Sequence, residues 1–382
     1  MAGNHDDDDR ASIASSSSTS SEADGRPHSP TSLFEDSLFS LFSHHQPAHG
    51  DPGDTCKYTH RNLPPRYTSS SRRPATLRYK IAENSGTNTK LFAHHQWDAG
   101  LYLADLIAEQ SVDHDASDVV LGKRREKTFV DVRDKAVVEL GAGTGLPGLV
   151  ACVMGADRTV VTDYPDPHVI DNLERNLDLA LLPRKSSKEK DPHRHYLEAR
   201  KRVQVLGLGW GNADEEERVL TAASSSSNPD TKAGYDLVLA ADVLWVSSAH
   251  PLLIHSIRKL LKRDRDARCV LIAGFHTGRP AVRRFFFQLA QPADQHDASL
   301  KEERKAGILP DWQETAFGGL WERNVEGVER AWAGASMPSK AVYDVNGAVK
   351  DADAGQEEEE MGDISGRGSW VVVASLRWAD LD

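Results

Sequence analysis

The stretch from Val137 to Gly148 reads VVELGAGTGLPG, and no other part of the chain limits its fold as tightly. An apolar strand ends at Glu139-Leu140, and Gly141, Gly143 and Gly145 follow at alternate positions before an apolar helical run, Leu149 to Met154, that closes at Gly155. Glycines so spaced let the backbone turn sharply and approach a ligand, while the amides of the helix start face whatever lies over the loop. The rest of the chain continues the alternation. A second strand runs from Thr159 to Thr162, a turn at Tyr164-Pro165-Asp166-Pro167 leads into a helix from His168 to about Leu181, and Val203 to Leu208 is a third strand. Tyr235 to Ala240 is a fourth strand, followed by a helix from Pro251 to Leu261 and a fifth strand from Cys269 to Ala273. Short apolar strands alternating with helices predict an α/β fold with a mostly parallel sheet covered on both faces. Beyond Ala281 a helix through Phe285, Phe286, Phe287 and Leu289 precedes strands at Leu320 to Asn324 and Trp370 to Trp378, expected as a terminal antiparallel pair.

Residues 1–74 are rich in Ser, Asp, His and Pro and poor in periodic apolar residues, so we expect a mostly disordered arm. Within it Leu33, Phe34, Leu38, Phe39, Leu41 and Phe42 have the spacing of a short helical stripe. A single domain over 75–382 is expected next. It begins with an accessory hairpin over Ala75 to Ala93, from the alternation Leu77, Tyr79, Ile81 and the turn Asn84-Ser85-Gly86, and then a helix from Trp97 to Glu109. Polar stretches near 183–198, 213–232 and 345–368 read as solvated insertions.

Charge narrows the partners. Acidic residues outnumber basic ones, 58 to 46, and no long stretch collects Lys and Arg, which argues against nucleic acid and suits a positively charged substrate. Cys56, Cys152 and Cys269 are odd in number and widely separated, with no metal-ligand spacing, so neither disulfides nor a metal is expected. No apolar stretch approaches the ~20 residues of a membrane helix. The N-terminus lacks the basic and apolar regions of a signal peptide, which leads us to expect a cytoplasmic monomer, with the nucleus left open.

The chemistry sits at the strand ends, where open α/β sheets bind their ligands. Dinucleotide loops usually read G-x-G-x-x-G, yet the position for the third glycine is Leu146. The G-x-G-x-G spacing after Glu139-Leu140 instead resembles motif I of class I methyltransferases, whose loop cradles the amino-acid end of S-adenosylmethionine. Asp163, about twenty residues on, can take both hydroxyls of a ribose, or simply cap the following turn. Trp210, in Gly207-Leu208-Gly209-Trp210-Gly211, is a candidate wall for adenine or an ordinary core Trp. After the fourth strand, Ala240-Ala241-Asp242-Val243-Leu244-Trp245 offers a small backbone beside the nucleoside, an acid and then an aromatic ring. Asp242 is a candidate to orient an amine or receive its proton, and Trp245 to hold the cationic amine by cation–π attraction. The bland alternative makes Asp242 a helix cap. His276 and Arg279, in GFHTGR, are candidates for the substrate mouth or members of an unremarkable turn.

Taken together these residues resemble the seven-stranded methyltransferases that modify lysines on non-histone proteins, over roughly Leu91 to the C-terminus. The nearest resemblance is to the fungal nicotinamide N-methyltransferase-like family of protein N-terminal and lysine methyltransferases acting on elongation factor 1-alpha. It is carried by His95-Gln96-Trp97-Asp98-Ala99-Gly100, the Glu139 to Gly148 loop, Val161-Thr162-Asp163-Tyr164-Pro165-Asp166, Asp242 to Trp245 with His250, and Gly274 to Arg279. The resemblance implies a Rossmann-like sheet, S-adenosylmethionine as cofactor, and contact with it from Trp97, Gly141, Gly143, Asp163, Trp210 and Ala240 or Ala241, beside the loop residues Glu139 and Gly145. Asp98 stands where relatives usually carry Asn, and Trp245 where Phe or Tyr is commoner. A small-molecule N-methyltransferase, an NAD-binding oxidoreductase and a non-catalytic cofactor-binding protein are the competing classes.

Overall fold

The computed structural model describes residues 49–65, 75–84, 86, 91–112, 129–182, 194–223, 233–311, 316–332 and 369–381. Among these residues the central sheet has nine strands. We number the strands β1 Thr55–Thr59, β2 Thr76–Lys80, β3 Ala136–Leu140, β4 Arg158–Asp163, β5 Val203–Gly207, β6 Leu237–Ala241, β7 Arg268–Gly274, β8 Ile308–Pro310, β9 Ala316–Asn324, β10 Glu329–Ala331 and β11 Trp370–Trp378. The helices are α1 Asp98–Gln110, α2 Leu146–Val153, α3 Pro167–Leu181, α4 Arg194–Arg202, α5 Ala213–Ala223, α6 His250–Leu260 and α7 Arg279–Ala290.

Strands β7, β6, β3, β4 and β5 lie side by side in that order, all parallel. β11 joins antiparallel on β7 and β9 antiparallel on β11, which gives the seven-stranded sheet with its terminal antiparallel pair. Two short strands that sequence reading did not expect extend it: β8 pairs with the end of β11, and β10 with β9. Three-residue strands have no periodicity of their own to detect. Strand order reverses between β3 and β6, so the ends of β3, β4 and β6 open onto one crevice.

Each face of the sheet has its own apolar layer. Leu103, Leu149, Leu173 and Tyr196, from α1 to α4, pack on one side, and Val219, Leu253, Ile257 and Phe285, from α5 to α7, on the other. In α3 the buried residues Val169, Leu173, Leu177 and Leu181 recur at helical spacing, and the N-cap Asp166 accepts from the His168 amide at 2.9 Å ahead of Pro167.

The accessory element differs from expectation. β2 pairs antiparallel not with a strand beyond Gly86 but with β1, whose residues fall inside the stretch read as a disordered arm. Order there has a clear source: Tyr58, Leu63, Leu77, Tyr79 and Ile81 are buried in the α1–α4 layer. Tyr58 also donates to Asp105 at 2.9 Å. The apolar stripe from Leu33 to Phe42 and the insertion at 345–368 lie outside the described residues. The other two polar insertions include helices, α4 and α5, each tucking Tyr196 or Val219 against the sheet layers.

Candidate active site

β3 delivers the chain into the glycine loop, and the loop's shape follows from what crowds it. Gly141 has φ +62°, and a Cβ there would lie 2.8 Å from Val243 Cγ1 and 3.4 Å from Trp210 Cζ2, so only glycine fits between the turns after β5 and β6. Gly143, at φ +57°, has nothing within 4 Å of where a Cβ would stand. Space over the loop is open at that point, and a side chain would fill it. Gly145 then starts α2 as its left-handed N-cap.

Beneath the loop, Glu139 is 1% exposed and its Oε2 accepts from the Gly148 amide at 2.8 Å. Burial pushes its pKa up to about 8 against the pull of that amide. Glu139 is thus a strut under the loop rather than a group facing the crevice. Two side chains that carried no role in the sequence reading complete the support. Gln96 Oε1 accepts from Thr144 Oγ1 at 2.6 Å, and Asn176 Nδ2 donates to the Thr144 carbonyl and to the Lys80 carbonyl, both at 2.9 Å. Asn176 also accepts from the Lys80 amide at 2.7 Å, so it ties β2 to the loop. Nothing local marks a buried Asn on a helix face as a tie of this kind.

Asp163 ends β4 directly beside the loop. Its Oδ2 accepts from the Gly143 amide at 2.7 Å and its Oδ1 from the Tyr164 amide at 2.6 Å. Burial lifts its pKa, and the two amide donors work against that lift. Each carboxylate oxygen keeps acceptor capacity beyond one bond, enough for the two hydroxyls of a diol. The helix that follows is capped by Asp166, while Asp163 holds the first amide of the turn before it, so it caps the turn and borders the crevice at once. Trp210 is half-buried over Gly141, on a turn held by Gly209 donating to Glu215 at 2.6 Å and Gly211 donating to Ser256 at 3.0 Å. Ala240 is fully buried in β6, whereas Ala241 is partly exposed, so Ala241 is the one of the two that faces the crevice.

A second cluster forms at the ends of β6 and β7. Asp242, 6% exposed and at φ +58°, accepts from the Gly274 amide through Oδ1 and from His276 Nε2 through Oδ2, both at 2.9 Å. It does not cap α6, whose N-cap is Ala249. Trp245 is half-buried and meets the Phe92 ring edge-on at 4.9 Å. From Phe92 the ring contacts continue through His94 and His95 to Trp97, and Trp97 meets His276 at 5.2 Å. Phe92, missed in the sequence, has φ +52°, a conformation costly for a bulky residue, and its backbone aims the ring at Trp245. Burial disfavours charge on His276, but the attraction and hydrogen bond of Asp242 outweigh it and raise the imidazole pKa.

Other expectations separate here. Arg279 does not line the mouth: it is 2% exposed, holds Glu322 through Nε at 3.0 Å and Nη2 at 2.8 Å, and lies over the Phe275 ring at 4.2 Å. A guanidinium with that partner is spent on the fold. His250 contacts the Leu244 carbonyl at 3.0 Å and stacks edge-on with Phe285, steadying the turn that carries Trp245. Asp98 opens α1 and pairs with His49 at 3.3 Å. A separate cavity of about 330 Å³, lined by Gly211, Leu252, His255, Arg258, Asp297 and Leu300 among others, takes no residue from the glycine loop or the Asp242 rim. Among the described residues no cluster is able to hold a metal, and no helix is long and apolar enough to cross a membrane.

The crevice therefore offers open space over the loop at Gly143, an acidic diol acceptor, an indole and the small Ala241, which together suit a nucleoside with an amino-acid tail. Known proteins agree. A family model described as Lysine methyltransferase matches residues 77–292, more than half of the chain. The protein N-terminal and lysine N-methyltransferase EFM7 of Gibberella zeae is 28% identical over 255 residues, 66% of this chain and 83% of its own. Its namesake in Schizosaccharomyces pombe is 29% identical over 224 residues, 58% of this chain and 71% of its own. SMU.776, a methyltransferase solved in complex with SAH, covers 79% of this chain and 53% of its own at 10% identity, with a TM-score of 0.33 too low to bear on fold or ligand. The chain belongs to the lysine methyltransferase family and is an S-adenosylmethionine-dependent methyltransferase on a Rossmann-like sheet.

Proposed function

We propose that this enzyme methylates an amine nitrogen of a protein, a lysine side chain or an N-terminal α-amine, and that elongation factor 1-alpha is its substrate. The observation that carries this reading is the rim beside the cofactor crevice, where Trp245, Phe92 and Trp97 stand around the Asp242–His276 pair. Aromatic faces attract an alkylammonium and exclude water from it, and an adjacent carboxylate adds to that attraction. When bound, S-adenosylmethionine supplies a methyl group made electrophilic by its sulfonium. The chain's own part is to hold it: the turn from Gly141 to Gly145 and Asp163 take the amino-acid and ribose portions, and Trp210 with Ala241 lines the base. Most of the acceleration then comes from positioning the nitrogen in line with the methyl carbon. A lysine ammonium, with pKa near ~10.4, must shed a proton first, and an α-amine near ~7.7 to 8.0 needs much less help. We infer action by a monomer in the cytoplasm, where the translation machinery is found.

Labelled cofactor incubated with cell lysate, with purified elongation factor 1-alpha and with nicotinamide tests the reading. A labelled protein band, an elongation factor peptide gaining one or more methyl masses, and no product from nicotinamide are expected. Methylated nicotinamide with no labelled protein would overturn it in favour of a small-molecule enzyme.

A further inference from the structure

We propose that the imidazole of His276 is the base that takes the proton from the acceptor ammonium, with Asp242 acting as the residue that positions it. The inference rests on the protein-amine reading above. An acid at the end of β6 is the obvious proton acceptor until its surroundings are counted. Asp242 accepts from the Gly274 amide and from His276, and its side chain is only 3% exposed, so burial rather than a lack of lone pairs keeps an ammonium from it. The His276 side chain is 24% exposed, and its bond to Asp242 uses Nε2. A carboxylate oxygen accepts, so in the neutral ring the hydrogen sits on Nε2 and the lone pair on Nδ1. A carboxylate that orients a ring nitrogen and stabilises the imidazolium formed at the other is the logic of the acid–histidine pairs in acyl transfer.

The ring is further fixed by Trp97, packed edge-on at 5.2 Å and 70°. Ionisable groups on the surrounding elements are Asp242 after β6, His94, His95 and Asp98 flanking Trp97, and Arg279 three residues on, which Glu322 engages. Asp242 is the one bonded to the ring. The step balances. One proton of the ammonium passes to Nδ1, leaving a lone pair on nitrogen and an imidazolium on Asp242. That lone pair forms the new nitrogen–carbon bond as the carbon–sulfur bond breaks and its electrons return to sulfur, and the imidazolium releases its proton to water.

Full-length His276→Gln keeps an N–H donor for Asp242 and removes the base. With lysate protein as acceptor its kcat at pH 7.5 is expected to fall about 100-fold, the low end of what general-base groups contribute. Calorimetry should find its affinity for S-adenosylhomocysteine unchanged. The deficit should shrink as pH rises towards the acceptor's own pKa, near ~10.4 for lysine. His276→Ala should recover part of its rate when imidazole is added. In the free wild type, the NMR titration of the His276 ring should coincide with the acid limb of the kcat/KM profile, and Asp242→Asn should move it to lower pH. Wild-type kcat with an unaltered acid limb in His276→Gln overturns the inference alone, as does a ring titration unmoved by Asp242→Asn. Failure of the wild type to label any protein overturns the protein-amine reading with it.

Discussion

Around Gly143 almost every support of the crevice runs through the main chain. Asp163 and Glu139 accept from the amides of Gly143 and Gly148, and Asn176 donates to the Thr144 carbonyl. Around Asp242, beyond the Gly274 amide, the supports are side chain against side chain: an imidazole on a carboxylate, and a run of rings from Trp245 to His276 drawn from three separate stretches of sequence. Main-chain bonds hold a donor site whatever the neighbouring side chains are, which suits a cofactor of constant shape. Ring contacts re-form when one ring changes, which suits an acceptor mouth that must match one partner. Cofactor binding and acceptor handling should therefore fail separately.

The largest effect expected is on the shared foundation. Arg279→Ala removes both guanidinium bonds that Arg279 makes to the buried Glu322, and should lower unfolding free energy by about 3 kcal/mol, read by denaturant titration. Next comes Asp163→Ala. Two hydrogen bonds to a charged acceptor, each roughly 1.5–3 kcal/mol, are lost, so S-adenosylhomocysteine should bind at least about 100-fold more weakly by calorimetry. Equal binding would break the main-chain half of the comparison. On the other side, Phe92→Ala removes an edge-on ring pair worth about 0.5–1.5 kcal/mol, so KM for the protein acceptor should rise up to about tenfold while the cofactor constant stays put. A change in cofactor affinity instead would merge the two halves.

A separate effect, read as a slope against pH, is expected at Glu139. Its folded pKa, about 8, lies above the unfolded value near ~4.3, so between those values the folded state binds the extra proton and stability falls as pH rises. The contribution is whole below the lower value and lost above the upper one. Glu139→Gln keeps an acceptor for Gly148 without the titration, and should flatten the decline of melting temperature from pH 5 to 8. A slope identical to wild type would remove Glu139 as its source.

Legibility in the sequence follows the same division. Strands β3, β6 and β7 are buried nearly throughout and read as mainly apolar runs, so they and the loop between β3 and α2 could be placed from the sequence. β1 was not readable: in TCKYT only Tyr58 is buried, and what orders it is pairing with β2 seventeen or more residues away. In the site, Asp163, Trp210 and Asp242 could be picked out because each sits at a strand end. Asp242 and His276 are 34 positions apart, and their bond depends on β6 and β7 being neighbours. Arg279 misled because a guanidinium near a mouth and one buried on Glu322 look alike in GFHTGR. Phe92 contributes through a positive φ, which no residue type but glycine announces.

The division between donor loop and acceptor rim is tested most directly by titrating S-adenosylhomocysteine calorimetrically into the wild type and into Asp242→Asn, side by side. One molecule bound per chain with the same dissociation constant in both is the predicted result. No heat with the wild type, or a loss in Asp242→Asn as deep as that of Asp163→Ala, would contradict it.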